Sequence, residues 1–178
     1  MNDCSVRLMH YDARWRQEFE QTRSSLFFCG DGWMNRIDHV GSTAISGLIA
    51  RPTIDVIACV SDDEGMQHAE SLIEGLNFRS VEAPPWADGT KVLIKPRAAH
   101  AEDPEATHRI FLVTDTHEAP SPLRNRMIRV RDYLRDDPER SIDFEEFKVQ
   151  AWKQTDGNLD AYLERKAGWF DRLEDEIP

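Results

Sequence analysis

Apolar positions along this chain follow two different rhythms. Over roughly the first two thirds, short apolar runs alternate with stretches of helical period; beyond Pro122 only the helical period remains. Trp15, Phe19, Thr22 and Leu26 form one helical stripe behind Asp12, a capping residue, and Gly30-Asp31-Gly32 ends that helix near Phe28. A short strand over residues 6–9 precedes it, and residues 37–40 read as another. Residues 53–60 are rich in Ile and Val and read as a buried strand in which Asp55 is the one charge. Asp62-Asp63-Glu64 then open a helix carrying Met66, Ala69, Leu72, Ile73 and Leu76. Residues 78–81, 91–95 and 108–114 read as three further strands. The stretches 83–89 and 98–106 between them read as loops, the second polar enough to be mobile. In the last third, Leu123, Met127, Val130 and Leu134, then Phe144, Phe147 and Ala151, then Leu159, Tyr162, Leu163, Lys166, Phe170 and Leu173 recur at helical spacing. Pro138 and Asp156-Gly157 punctuate three helices. The pattern predicts an α/β (α+β) fold, a mixed sheet flanked by helices with a helical C-terminal third, in an order the residues do not encode.

Composition narrows this picture. A length of 178 residues suits one domain, 1–178, with a sheet-bearing core over 1–115 and C-terminal helices over 121–178 packing on it. Hydrophobic residues at 40% and charged residues at 31% exclude wholesale disorder. A net charge of −11 argues against nonspecific nucleic-acid binding, which needs a basic surface, but leaves room for a small basic pocket. Cys4, Cys29 and Cys59 fit no zinc spacing and read as small core residues in a reducing compartment. Without a leader pattern or a long apolar run, the expectation is a cytoplasmic protein that does not enter a membrane.

Candidate chemistry concentrates in the run from Asp38 to Ile57. Gly41 can take backbone angles closed to other residues, and Ser42 and Thr43 can cap a following helix whose free N–H groups suit phosphate oxygens. The same residues also make an ordinary strand-to-helix turn. Asp55 needs a partner: a metal, a basic side chain such as Arg51, or backbone donors. His39, directly before the turn, is either a core histidine or a site residue. The segment from Pro122 holds Arg124, Arg126, Arg129, Arg131 and Arg135 against the single acid Asp132, so its guanidiniums either grip phosphate or make surface ion pairs. Lys148 and Lys166 sit beside apolar residues, where their stems run along the core edge and either ammonium can reach a pocket. His108 lies in a strand that alternates it with Arg109. No Gly-x-Ser-x-Gly elbow, Walker loop, HExxH or CxxC is present, so serine hydrolase, P-loop kinase, thermolysin-like and thioredoxin-like chemistry lose their main support.

The Gly41-Ser42 pair behind an apolar residue, followed a dozen residues later by Asp55 on a strand, resembles the first signature of the nucleotidyltransferase superfamily. The variant His39-Val40-Gly41-Ser42-Thr43 with downstream Arg51-Pro52-Thr53-Ile54-Asp55 closely resembles the GrpB-like family, whose members have that fold. The resemblance continues in residues 6–19 and in Ser121-Pro122-Leu123, Val130-Arg131-Asp132-Tyr133-Leu134-Arg135, Pro138-Glu139, Phe147-Lys148, Tyr162 and Lys166, while residues 62–105 match poorly. It implies phosphate or nucleotide contacts at Gly41, Ser42, Thr43, Arg131, Lys148 and Lys166. It also implies a catalytic or metal-binding role for Asp55, with Mg2+ or Mn2+ as the cofactor, and site roles for His39 and His108. Two departures stand out: Ile57 occupies the place of the second metal-binding acid, and Phe111 that of a second histidine beside His108. Asp38, Glu82 and Glu102 are the candidates for a replacement acid. The resulting expectation is a protein that binds a nucleotide or other phosphate-bearing small molecule, with nucleotidyl transfer left open. The alternative is a catalytically inactive binding or folding-helper module with a protein partner, since related domains occur fused to dephospho-CoA kinase.

Overall fold

A computed structural model describes residues 5–96 and 100–177; Cys4 lies outside them. Five strands form one mixed sheet in the order β1-β2-β5-β4-β3. They are β1 (Arg36–Val40), β2 (Ile54–Val60), β3 (Arg79–Val81), β4 (Lys91–Lys95) and β5 (His108–Thr114). Strands β2 and β5 run parallel at the centre, and the other pairings are antiparallel. Five α-helices accompany the sheet: α1 (Arg14–Cys29), α2 (Asp63–Gly75), α3 (Pro122–Asp136), α4 (Pro138–Gln154) and α5 (Leu159–Glu176). Both central strands are buried on both sides, which is why they read as near-continuous apolar runs rather than as alternating ones.

Alternation along the strands divides the core. Ile37, Ile54, Val56, Ala58, Val60, Leu93, Ile110 and Leu112 pack with Trp15, Phe19 and Leu26 of α1 and Ala69 and Ile73 of α2. On the other face Val40, Ile57, Cys59, Val92, Ile94, Phe111 and Val113 pack with Leu123, Met127 and Ile128 of α3. The C-terminal helices build a further cluster around Leu134, Phe144 and Leu173, which reaches Ile45 and Leu48 beyond the Gly41 turn. Ser121 and Asp137 cap α3 and α4, each helix having Pro in its first turn, and Asn158 caps α5.

Three expectations are corrected. Residues 6–9 form no strand; Ser5 and Met9 make isolated bridges to Asn158 and Ala50. The segment after Gly41 is one 3-10 turn, Ser42–Ala44, with no side-chain cap, because positive-φ Gly47 and Pro52 leave no room for a longer helix. Of the polar loop 98–106, residues 98 and 99 lie outside the described residues, and the part from Ala101 to Ala106 is tied down: Thr53 Oγ1 donates to the Ala106 carbonyl at 2.8 Å, Arg109 Nη1 to that of Ala101 at 3.2 Å, and Arg51 Nη2 to the Glu102 carboxylate at 2.9 Å.

Candidate functional site

Between the sheet face that carries Asp55 and the helices α3 and α5 lies a cavity of about 430 Å³. Gly41, Ser42, Thr43, Asp55, Arg131, Lys148 and Lys166 all line it, together with Arg51, Glu102 and Arg109. Gly41 holds φ 72° and ψ −174°, a region open only to glycine. A β-carbon built on it would stand 2.5 Å from Asp55 Oδ2. Conformation and close approach therefore both require glycine here, and together they press the turn against the carboxylate.

Asp55 finds its partner across the sheet. The parallel register sets Asp55 opposite Arg109, and Arg109 Nε donates to Asp55 Oδ1 at 2.8 Å. Arg109 is 4% exposed. Its Nη1 lies 2.7 Å from Glu102 Oε1, while Arg51 pairs with Glu102 Oε2 at 2.9 Å, so two carboxylates and two guanidiniums form one half-enclosed chain. Burial alone would raise the Glu102 carboxyl, but Arg109 and Arg51 hold it at about 2. Arg109 was not among the sequence candidates. Its signal was present: one positive and one negative charge, each alone in an apolar strand, need each other for burial. Of the candidate replacement acids Glu102 lines the cavity, engaged by both guanidiniums, whereas Asp38 pairs with Arg124 at 3.0 Å and Glu82 is exposed.

Lys166 stands next to this chain. Among the described residues its ammonium makes no hydrogen bond or ion pair, and it stands 5.5 Å from the Phe170 ring centroid. Burial, then repulsion from Arg51, brings it down to about 8 despite the attraction of Glu102. Lys148, 1% exposed, donates from Nζ to the Ile49 carbonyl and sits 4.4 Å from the Phe144 ring centroid; burial pushes it well below the ordinary lysine range. The α3 arginines act largely as clamps. Arg131 donates to the His39 carbonyl at 2.9 Å and Arg135 to that of Ala44 at 2.7 Å, fixing both ends of the Gly41 turn.

Thr43 lines the cavity, but its hydroxyl serves the fold, donating to the Thr53 carbonyl at 3.1 Å and meeting His39 Nε2 at 3.0 Å. Ser42 makes no side-chain hydrogen bond among the described residues. The two histidines point elsewhere. His39 stacks on Phe19 with centroids 4.6 Å apart and His108 meets the edge of Phe78, both on the face that α1 and α2 cover. Burial pushes each imidazole down to about 4. Mg2+ or Mn2+ does not fit this donor set. Both cavity-lining acids next to the turn are engaged by guanidiniums, Ile57 occupies the adjacent inward position on β2, and no three His, Cys, Asp or Glu side chains among the described residues are grouped to hold an ion.

Among solved structures, GrpB from Enterococcus faecalis superposes with a TM-score of 0.81 over 96% of both chains at 21% identity, a likeness of fold. A protein named dephospho-CoA kinase from Mycolicibacterium paratuberculosis is 28% identical over 93% of this chain and 44% of its own length. Glutamate-rich protein GrpB of Alkalihalophilus pseudofirmus is 25% identical over 99% of this chain and 98% of its own. The chain spans about half the length of two curated relatives that it matches and just under two thirds of two others. No helix among the described residues is long and apolar enough to cross a membrane. The sequence profile described as GrpB protein matches residues 5–176, and the chain belongs to the GrpB family.

Proposed function

We propose that this protein binds a phosphate-bearing small molecule, a nucleotide among the candidates, in the cavity between the Gly41 turn and helices α3 and α5. The observation that carries this reading is Lys166: a cation drawn out of bulk water, lining a cavity, with no ion pair or hydrogen bond among the described residues. Arg51 and Arg109 are paired with Glu102 and Asp55, so Lys166 supplies the attraction for an anion entering the cavity of a protein whose net charge is −11. The 3-10 turn is too short to present a helix N-terminus, so Lys166 takes the anion-holding role. Nucleotidyl transfer through a divalent ion has no support from the paired carboxylates, and the reading is one of binding.

A thermal-shift panel of AMP, ATP, dephospho-CoA and inorganic phosphate, each with Mg2+ and with EDTA, tests it. A ligand at about 100 times its dissociation constant adds roughly 2.7 kcal/mol of stability. A shift that persists in EDTA and is lost in Lys166→Met supports the reading; a flat panel at millimolar ligand overturns it. The match to 44% of a protein named as a kinase favours one second reading, a noncatalytic module that assists an attached enzyme. A flat panel would move the case there.

A further inference from the structure

The charge balance and the walls of the cavity together say more about the ligand than that it is anionic. Arg51 and Arg109 are balanced by Glu102 and Asp55, Arg126 by Glu174 at 2.6 Å and Arg131 by Asp132 at 2.7 Å, while Lys148 is spent on a backbone carbonyl. Lys166 is left with no ion pair or hydrogen bond among the described residues, and Asp171, which also lines the cavity, makes no ion pair among them. The rest of the lining includes hydrocarbon and aromatic side chains: Trp86, Leu123, Met127, Val130, Leu163 and Phe170. Trp86 is 40% exposed, and Arg109 lies 5.8 Å from its ring centroid. The Arg126–Glu174 pair bridges α3 and α5 over the same space.

We infer that the ligand is an amphiphile with a single acidic group, a carboxylate or a phosphate monoester held at Lys166, and an apolar body of alkyl or aryl character lying between α3 and α5. A polyphosphate is disfavoured twice. Its second and third charges meet guanidiniums already neutralised by Asp55 and Glu102, and its chain of charges has to be desolvated against Leu123, Met127 and Val130. An apolar body gains from the same walls, since each methylene removed from water is worth about 0.8 kcal/mol. This inference rests on the binding reading above and narrows it, although the acidic group need not be a phosphate.

Isothermal titration separates the two. The probes are butyrate, hexanoate and octanoate, hexyl and octyl phosphate below their micellar concentrations, inorganic pyrophosphate and ATP. The expected result is tightening of roughly fivefold or more for each pair of added methylenes, with octanoate and octyl phosphate binding far more tightly than pyrophosphate or ATP, and loss of at least tenfold in Lys166→Gln. Met127→Trp, which enlarges an apolar wall and leaves Lys166 in place, should weaken octyl phosphate by a similar factor. ATP or pyrophosphate binding as tightly as octyl phosphate overturns the inference and leaves the phosphate reading standing. Octanoate binding while every phosphate fails supports the inference and overturns the phosphate reading. Alkyl probes that bind Lys166→Gln or Met127→Trp as well as wild type, or no binding by any probe, overturn the inference.

Discussion

The two faces of the central sheet handle buried ionisable groups in opposite ways. Beneath α1 and α2, His39 and His108 lie against the rings of Phe19 and Phe78 and meet the hydroxyls of Thr43 and Thr107, and burial keeps both imidazoles neutral at pH 7. Beneath α3 and α5, Asp55, Glu102, Arg51 and Arg109 keep their charges and satisfy one another. One face removes charge and the other pairs it. The paired face also carries Lys166, an ammonium that burial brings down and that makes no ion pair among the described residues.

Breaking the pairing should produce the largest effect. Arg109→Met leaves Asp55 and Glu102 together without the guanidinium that joins them, and is expected to cost about 3–5 kcal/mol in urea unfolding. The double variant Asp55→Asn/Arg109→Gln should recover a substantial part of that loss; a double variant as unstable as the single would mean that Arg109 acts by packing alone. Titration distinguishes the faces next. Between pH 6.5 and about 4 the unfolded His39 takes up a proton that the folded imidazole resists, so stability is full above 6.5 and falls as pH drops through that window, by on the order of 3 kcal/mol. His39→Gln should remove about half of this limb, since His108, held equally low, loses stability over the same window. Glu102, held at about 2, contributes stability that is present above its ordinary value of 4.5 and is lost only as pH falls towards 2, so the acid unfolding curve should show the histidine loss first.

The turn offers a smaller, sharper contrast. Gly41→Ala combines positive-φ strain with a β-carbon 2.5 Å from Asp55 Oδ2, whereas Gly47→Ala has φ 83° and nothing within 4 Å. The expected costs are about 2–3 and about 1 kcal/mol, and equal thermal shifts would show that Asp55 yields without cost. The smallest effect on stability belongs to Lys166→Met. Removing a half-buried cation without a hydrogen-bonded anion should leave unfolding within about 1 kcal/mol of wild type, even as anion binding is lost. A large destabilisation would mean that Lys166 is a structural residue.

Much of the fold was legible because its signals are local. Strands β2, β4 and β5 and the three C-terminal helices begin and end near where apolar runs, Pro122, Pro138 and Asp156-Gly157 place them. The site was legible only where one segment carries it. Gly41 and Asp55 sit in the same short unit, so their contact follows from a turn and a strand. Arg109 enters by a pairing of strands more than fifty residues apart, which no spacing encodes. Residues 6–9 have the apolar alternation of a strand but find only bridges at Ser5 and Met9, a tertiary outcome that local preference does not contain. His39 and Arg131 matched a pattern; that the imidazole faces Phe19 while its carbonyl receives Arg131 is decided by which face of β1 meets α1.

The Asp55–Arg109 pair also acts as an alignment key for the molecule. Strand side chains alternate, so sliding β5 by one residue along β2 would turn Arg109 out of the cavity and into the hydrocarbon between the sheet and α2, while Asp55 would lose its counter-charge. Apolar residues such as Ile110 and Phe111 would tolerate that slip far better than a guanidinium does. The central parallel pairing, the longest in the sheet and the one least constrained by a tight connection, is thus held in register by the same two charges that line the cavity.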